Sequence, residues 1–217
     1  MATRCHHRER FMIHRRAVLH IPLFLSGALV PPLSAAWSQT LVVLSPIIDD
    51  LSDPTGLSAL GSRWQLVTDQ VMGGISRGTL AREEVAGRPA LVMRGDVRLE
   101  NNGGFVQMAL DLGRPDAAGS RTLDARDWQG LEIDVCGAPQ TYSLHLRTTD
   151  LERPWQSYRQ GFPSRPEWRR LRLPFTDFRP YRTVAPLDLS RLRRLGIVAI
   201  GHAFKADLAV GGVRLYG

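Results

Sequence analysis

From residue 64 onward, apolar and polar side chains alternate with a period of two. Residues 64–67 give the first such run, followed by 90–94, 105–112, 131–135, 142–147 and 171–175, and the strand segments 195–200 and 213–216 close the chain. Alternation sends one face of a strand to a core and the other to water. Turn signals separate the runs: Gly87-Arg88-Pro89, Gly113-Arg114-Pro115, Gly137-Ala138-Pro139, and Pro163 with Pro166. Helical periodicity is nearly absent, and residues 58–63 and 189–195 are the only short candidates. Many short strands with Gly and Pro turns predict an all-β fold of antiparallel sheets packed face to face.

Two glycine-paired segments punctuate the pattern: Asp69-Gln70-Val71-Met72-Gly73-Gly74-Ile75-Ser76 and Leu99-Glu100-Asn101-Asn102-Gly103-Gly104-Phe105. Glycine is placed where the backbone takes φ > 0 or lies close to another group. Asp69, Asn101 and Asn102 are side chains that bond local backbone in turns. Both segments are expected to be specified corners first and a partner contact second. No Lys follows either pair and no helix is predicted there, so neither is a phosphate loop.

Seven aromatic residues, Trp64, Phe105, Trp128, Trp155, Trp168, Phe175 and Phe178, lie in or beside the predicted strands. Core packing is the expectation for each. Trp155 is the exception, because Glu152-Arg153-Pro154-Trp155-Gln156-Ser157-Tyr158 reads as a loop entering a strand where an aromatic can stay exposed.

The 217 residues allow one domain plus an N-terminal appendix, and the formal net charge is +7. Residues 1–36 hold five arginines against Glu9 and so carry +4 of that charge. The remaining arginines are dispersed among acids, which reads as a solvated surface and not a nucleic-acid face. Arg15-Arg16, the apolar stretch from Ile21 to Leu33 and Ser34-Ala35-Ala36 have the layout of an export signal. The arginine pair makes it twin-arginine-like, although His14 precedes the pair. Cleavage near Ala36 is expected, with an uncleaved anchor as the alternative and Met12 as an alternative start. The stretch is short and Pro-rich for a membrane span, so no stable span is expected after cleavage. Export places the domain in the periplasm. The organisation is then residues 1–36 signal, 37–59 lead segment and 60–217 domain.

Candidate chemistry is sparse. Cys5 lies in the appendix, and Cys136 ends an apolar run as a small half-buried side chain. The domain has two histidines, His145 and His202, with no metal-ligand spacing. No nucleophile motif is present, so no cofactor, metal or catalytic residue is expected. If residues 131–135 and 142–147 form a hairpin, Glu132 and Asp134 share a face with Ser143, His145 and Arg147. That face is either a wet ion-pair ladder or a binding surface.

The ordered series Trp64, Asp69 to Ser76, Leu99 to Phe105, Tyr142-Ser143-Leu144-His145-Leu146-Arg147-Thr148, Trp168 and Leu173-Pro174-Phe175-Thr176-Asp177-Phe178 resembles the CIA30 family. This is the complex I intermediate-associated protein 30 domain, and the resemblance spans about residues 60–216. It implies a galactose-binding-like jelly-roll β-sandwich, akin to carbohydrate-binding modules. It implies a non-enzymatic role, since mitochondrial members are assembly chaperones for NADH:ubiquinone oxidoreductase. The export signal and the closing residues 202–208 depart from that pattern. The expected function is an exported binding or assembly module for a protein partner, with a glycan as the alternative ligand. Its candidate binding residues are Asp69, Met72, Gly73, Gly74, Asn101, Asn102, Gly103, Gly104, His145, Arg147 and Trp155.

Overall fold

The computed structural model describes residues 45–217 apart from 114, 117, 118 and 121. The export-signal reading therefore lies outside the described residues. In chain order the strands are β1 (Ile47–Asp49), β2 (Gln65–Thr68), β3 (Arg77–Val85), β4 (Arg88–Val97), β5 (Phe105–Asp111), β6 (Pro115–Asp116) and β7 (Gly119–Ser120). They continue as β8 (Gly130–Gly137), β9 (Gln140–Thr148), β10 (Ser157–Ser164), β11 (Arg169–Pro174), β12 (Arg179–Tyr181), β13 (Leu192–Ile200) and β14 (Phe204–Tyr216). The first sheet has the order β11-β8-β14-β4-β3, with β1 also on β14, and the second β12-β10-β9-β13-β5-β2. All their pairings are antiparallel. The expected β-sandwich is present, and no helix among the described residues is long and apolar enough to cross a membrane.

The inward faces meet in one core. Met93, Ile133 and Leu208 from the first sheet pack with Met108, Leu110, Leu144, Leu146 and Ile197 from the second, and all are 0 % exposed. Burying each such side chain is worth about 1.5–3 kcal/mol. Trp64, Trp128, Phe175 and Phe178 pack on this core as expected. Phe105 does not, because its position in β5 turns it to the outer face. Residues 189–195, read as a short helix, are a single 3-10 turn (Leu189–Arg191) leading into β13. Residues 47–49, inside the lead segment, form β1 and join the first sheet.

One pairing differs from the sequence expectation. The residues of β8 and β9 do not form a hairpin: β8 lies between β11 and β14, and β9 between β10 and β13. The turn at Ala138 and Pro139 carries the chain across the sandwich. Alternation fixed each strand's inner face but could not choose its neighbour, which the other strands decide. Glu132 and Asp134 thus face outward from the first sheet, away from His145 and Arg147. They are not a wet ladder, being 6 % and 4 % exposed beneath Arg88, Arg170, Arg172 and Arg214. Burial opposes the Asp134 charge, but Arg170 and Arg214 outweigh it and hold the carboxyl below its ordinary value. Beside this network Trp168 covers Cys136, Ala90, Val92 and Ala209, and its indole donates to the Val85 carbonyl at 3.0 Å.

The two glycine-paired segments are neighbours. Asp69 opens a 3-10 turn (Asp69–Met72) after β2, and a second turn (Glu100–Asn102) precedes β5. The Asp69 carboxylate, 0 % exposed, accepts from the amides of Ser76 at 2.9 Å, Gly104 at 2.5 Å and Phe105 at 3.3 Å. It also accepts from the Ser76 hydroxyl, whose oxygen accepts from the Arg98 amide at 2.9 Å. Burial opposes the charge, yet these donors hold the carboxyl below its ordinary value. A Cβ at Gly74 would collide with the Asp69 carboxylate, and one at Gly103 would lie 2.6 Å from its oxygen. Gly73 and Gly104 instead answer a backbone demand, with φ of 87° and 126°. Asn101 supplies the left-handed residue of the second turn at φ 57°.

Two consequences are measurable by urea unfolding. Gly73→Val and Gly104→Val are expected to cost about 1–3 kcal/mol each, from positive φ at a β-branched residue. Asp69→Ala is expected to cost more than about 3 kcal/mol, since it orphans several buried donors. The folded Asp69 carboxyl lies below its unfolded value, so its contribution is complete above about pH 3.9 and is lost as pH falls through the folded value. Asp69→Asn removes that part of the acid dependence, and an unchanged acid profile would refute the clamp.

Candidate functional site

Register places one row of side chains after another on the outer face of the second sheet. Arg159 in β10 is opposite His145 in β9, which is opposite Gly196 in β13. In the next row Ser143 is opposite Val198, and Val198 is opposite Gln107. On the other side Arg147 is opposite Arg194, which faces Asp111. Two loop regions rise around these rows. Val71, Met72 and Leu99 come from the Asp69-clamped turns, and Pro154, Trp155 and Gln156 from the β9–β10 loop. Together they enclose a groove of about 930 Å³.

Of the residues singled out from sequence, Met72, Gly103, Gly104, His145, Arg147 and Trp155 line this groove. Asp69 and Gly74 are buried behind its rim, where they build the turn, and Gly73 and Asn101 are exposed beside it. Asn102 lies within the second turn. Sequence reasoning missed Arg159, Tyr181, Arg182, Arg194, Gln107 and the groove-facing Phe105. Residues 157–164 carry Gly161 and Pro163, which masked the strand that presents Arg159.

His145 forms the floor. It is 9 % exposed, and its Nε2 has no hydrogen-bond partner. Burial, and then the charge of Arg159 opposite, push its pKa down to about 3, so the ring is neutral. Arg147 works differently. Its guanidinium donates to the carbonyls of Pro154 at 3.0 Å and Arg153 at 2.9 Å, fastening the loop that carries Trp155. Gln156 extends the fastening by donating to the Arg182 carbonyl at 3.1 Å. Burial, and then Arg193 and Arg194, hold the Arg147 guanidinium below its ordinary value. Arg159 donates to the Ser157 hydroxyl at 2.9 Å and stacks over the Tyr181 ring at 3.4 Å.

Large apolar groups remain in water around the groove: Val71 is 73 % exposed, Met72 54 %, Leu99 51 % and Trp155 46 %. Exposed apolar side chains on the walls of a depression mark an interaction site. Among the described residues no group of three or more His, Cys, Asp or Glu side chains could hold a metal ion.

The profile of the family described as Complex I intermediate-associated protein 30 (CIA30) matches residues 54–210. No curated protein matches. Among solved structures, the fold is similar to the family 11 carbohydrate-binding module of the cellulosomal cellulase Lic26A-Cel5E of Clostridium thermocellum. That match has 11% identity and a TM-score of 0.59, and covers 80% of this chain and 94% of that one. The family 11 module from Clostridium thermocellum in complex with a beta-1,3-1,4-mixed-linked tetrasaccharide gives 11% identity, TM-score 0.60 and coverage of 80% and 95%. At this identity the likeness shows the fold alone, a jelly-roll β-sandwich.

The His145 environment makes a direct prediction. Imidazole NMR is expected to show the ring neutral until pH falls to about 3. An unfolded histidine takes up its proton near 6.5. Stability therefore drops as pH falls from about 6.5, because only the unfolded state gains the proton. Melting across that window is expected to be flatter for His145→Gln than for the parent chain, and identical slopes would contradict the burial.

Proposed function

The chain belongs to the CIA30 family, and from that premise we propose that it is a non-catalytic binding module of the assembly-factor type. Its groove over the second sheet holds a segment of a partner protein. The observation that carries this reading is the ring of exposed apolar and aromatic side chains, Val71, Met72, Leu99 and Trp155, around a polar floor. Such rims are favourable to bury and fit an extended chain. The composition of the floor supports binding over turnover. His145 is neutral and lacks a partner on Nε2, and no carboxylate lines the groove to orient it as a base. The export signal read in the sequence of residues 1–36 supports a periplasmic module, and the mature N-terminus by mass spectrometry tests its cleavage.

A second reading has its own support. The neighbouring folds are carbohydrate-binding modules, one of them bound to a tetrasaccharide, and Trp155 offers an exposed ring to a sugar face. A photo-crosslinking residue at Trp155, with Lys205 on the other sheet as control, separates the readings in the native host. Protein adducts from position 155 alone are expected. Absence of adducts, together with glycan-array binding lost in Trp155→Ala, would establish the carbohydrate reading instead.

A further inference from the structure

Resting on the reading of the groove as a protein-binding site, we propose that its occupant is an extended partner segment with apolar residues at one end and carboxylates at the other. Arg147, Arg159, Arg182 and Arg194 line the groove, and among the described residues no aspartate or glutamate does. Asp111, 3.5 Å from Arg194, is the one carboxylate within ion-pair distance of these four among the described residues. The imbalance is local. On the opposite sheet Glu132 and Asp134 engage four arginines, so acids are supplied where the fold itself consumes them.

Arg159 and Arg182 lie against one ring, at 3.4 and 5.4 Å from the Tyr181 centroid. The charge of Arg182 disfavours that of Arg159, and a carboxylate within reach of both offsets that repulsion with charge-assisted contacts. Guanidiniums also bind carboxylates through paired donors, which a point charge cannot match.

The far end of the groove has a different character. Val71, Met72 and Leu99 stand exposed there beside Phe105 and Ile200. The ends are separated by the sheet order β12-β10-β9-β13-β5-β2. Five strand spacings make about 24 Å, which about seven extended residues span. Between them lies His145, whose buried Nε2 lacks a partner. A crossing segment brings backbone groups to that atom.

This pattern favours a peptide over a neutral glycan. Guanidiniums only donate, whereas sugar hydroxyls need acceptors as well. A peptide supplies carboxylate and carbonyl acceptors to the basic end and side chains to the aliphatic end.

The test titrates the full-length chain with fluorescein-labelled octapeptides and reads polarisation. One carries Leu and Phe at one end and Asp and Glu at the other. A second replaces the acids by Lys, and a third disperses the acids through the same composition. The first is expected to bind at least about tenfold tighter than the other two. Its affinity is expected to fall between about 50 and about 500 mM salt. Arg159→Glu and Arg182→Glu are each expected to abolish the preference, and Met72→Asp to weaken the first peptide. Arg182 is exposed, so its variant keeps the test decisive if Arg159→Glu fails to fold. Equal binding of the acidic and Lys peptides would overturn the inference and leave the protein-segment reading standing. Binding of an acidic oligosaccharide but of no peptide would overturn both, and no binding at all would overturn the inference.

Discussion

A carboxylate removed from water must be surrounded by donors, and the Asp69 carboxylate imposes that requirement on four strand ends at once. It sits where β2 stops, takes the amide and hydroxyl of Ser76 just before β3, and takes the amides that begin β5. Through the Ser76 oxygen it also reaches Arg98 at the end of β4. Strands β2 and β5 belong to one sheet and β3 and β4 to the other. The clamp therefore joins the two sheets at one corner by hydrogen bonds, as the Asp207 amide of β14 does elsewhere by donating to the Tyr142 hydroxyl of β9 at 3.1 Å, while apolar contact fills the core between them. Its energetics are unforgiving, because a half-satisfied buried charge is worse than none. The glycines follow from it: Gly74 and Gly103 leave the space the carboxylate fills, and Gly73 and Gly104 turn the backbone toward it.

The same clamp shapes the groove. Met72 and Leu99 are exposed because the turns that carry them are tied down beneath, at Asp69, and cannot fold onto the sheet. At the opposite end Arg147 does comparable work on the loop of Trp155, with carbonyl acceptors in place of amide donors. Both walls are thus held before any ligand arrives. A site ordered in advance loses less entropy on binding, so a modest set of contacts suffices.

Much of this was legible in the sequence, and the reasons for the exceptions are physical. Period-two patterning located β2, β4, β5, β8, β9 and β11, because an inner face must be apolar over several residues, and the apolar run 195–200 located β13. The glycine pairs announced specified turns, but composition could not reveal that one aspartate serves both, since its partners lie 35 and 36 residues away. The edge-lying β3 and β12 and the Pro-containing β10 have no clean alternation, so Arg159 and Tyr181 stayed hidden. Pairing was the other blind spot. The residues of β8 and β9 follow each other in sequence, yet their partners come from elsewhere in the chain. Glu132 and Asp134 were separated from His145 and Arg147 as a result.

That separation gives the molecule its electrostatic asymmetry. On the first sheet, buried acids and the arginines over them satisfy one another, so the face is closed as chemistry. On the second, Arg147 and Arg159 are held by carbonyls, a hydroxyl and an aromatic ring. Those partners fix where a guanidinium sits without cancelling its charge. Burial already disfavours the charge on Arg147 and Arg159, and like-charge repulsion along the groove adds to that cost. An anionic group entering there replaces water and removes repulsion together. A neutral one must displace the water with no such return. The geometry that leaves Arg159 beside Tyr181 and opposite a neutral His145 is thus selective by sign before any contact is counted.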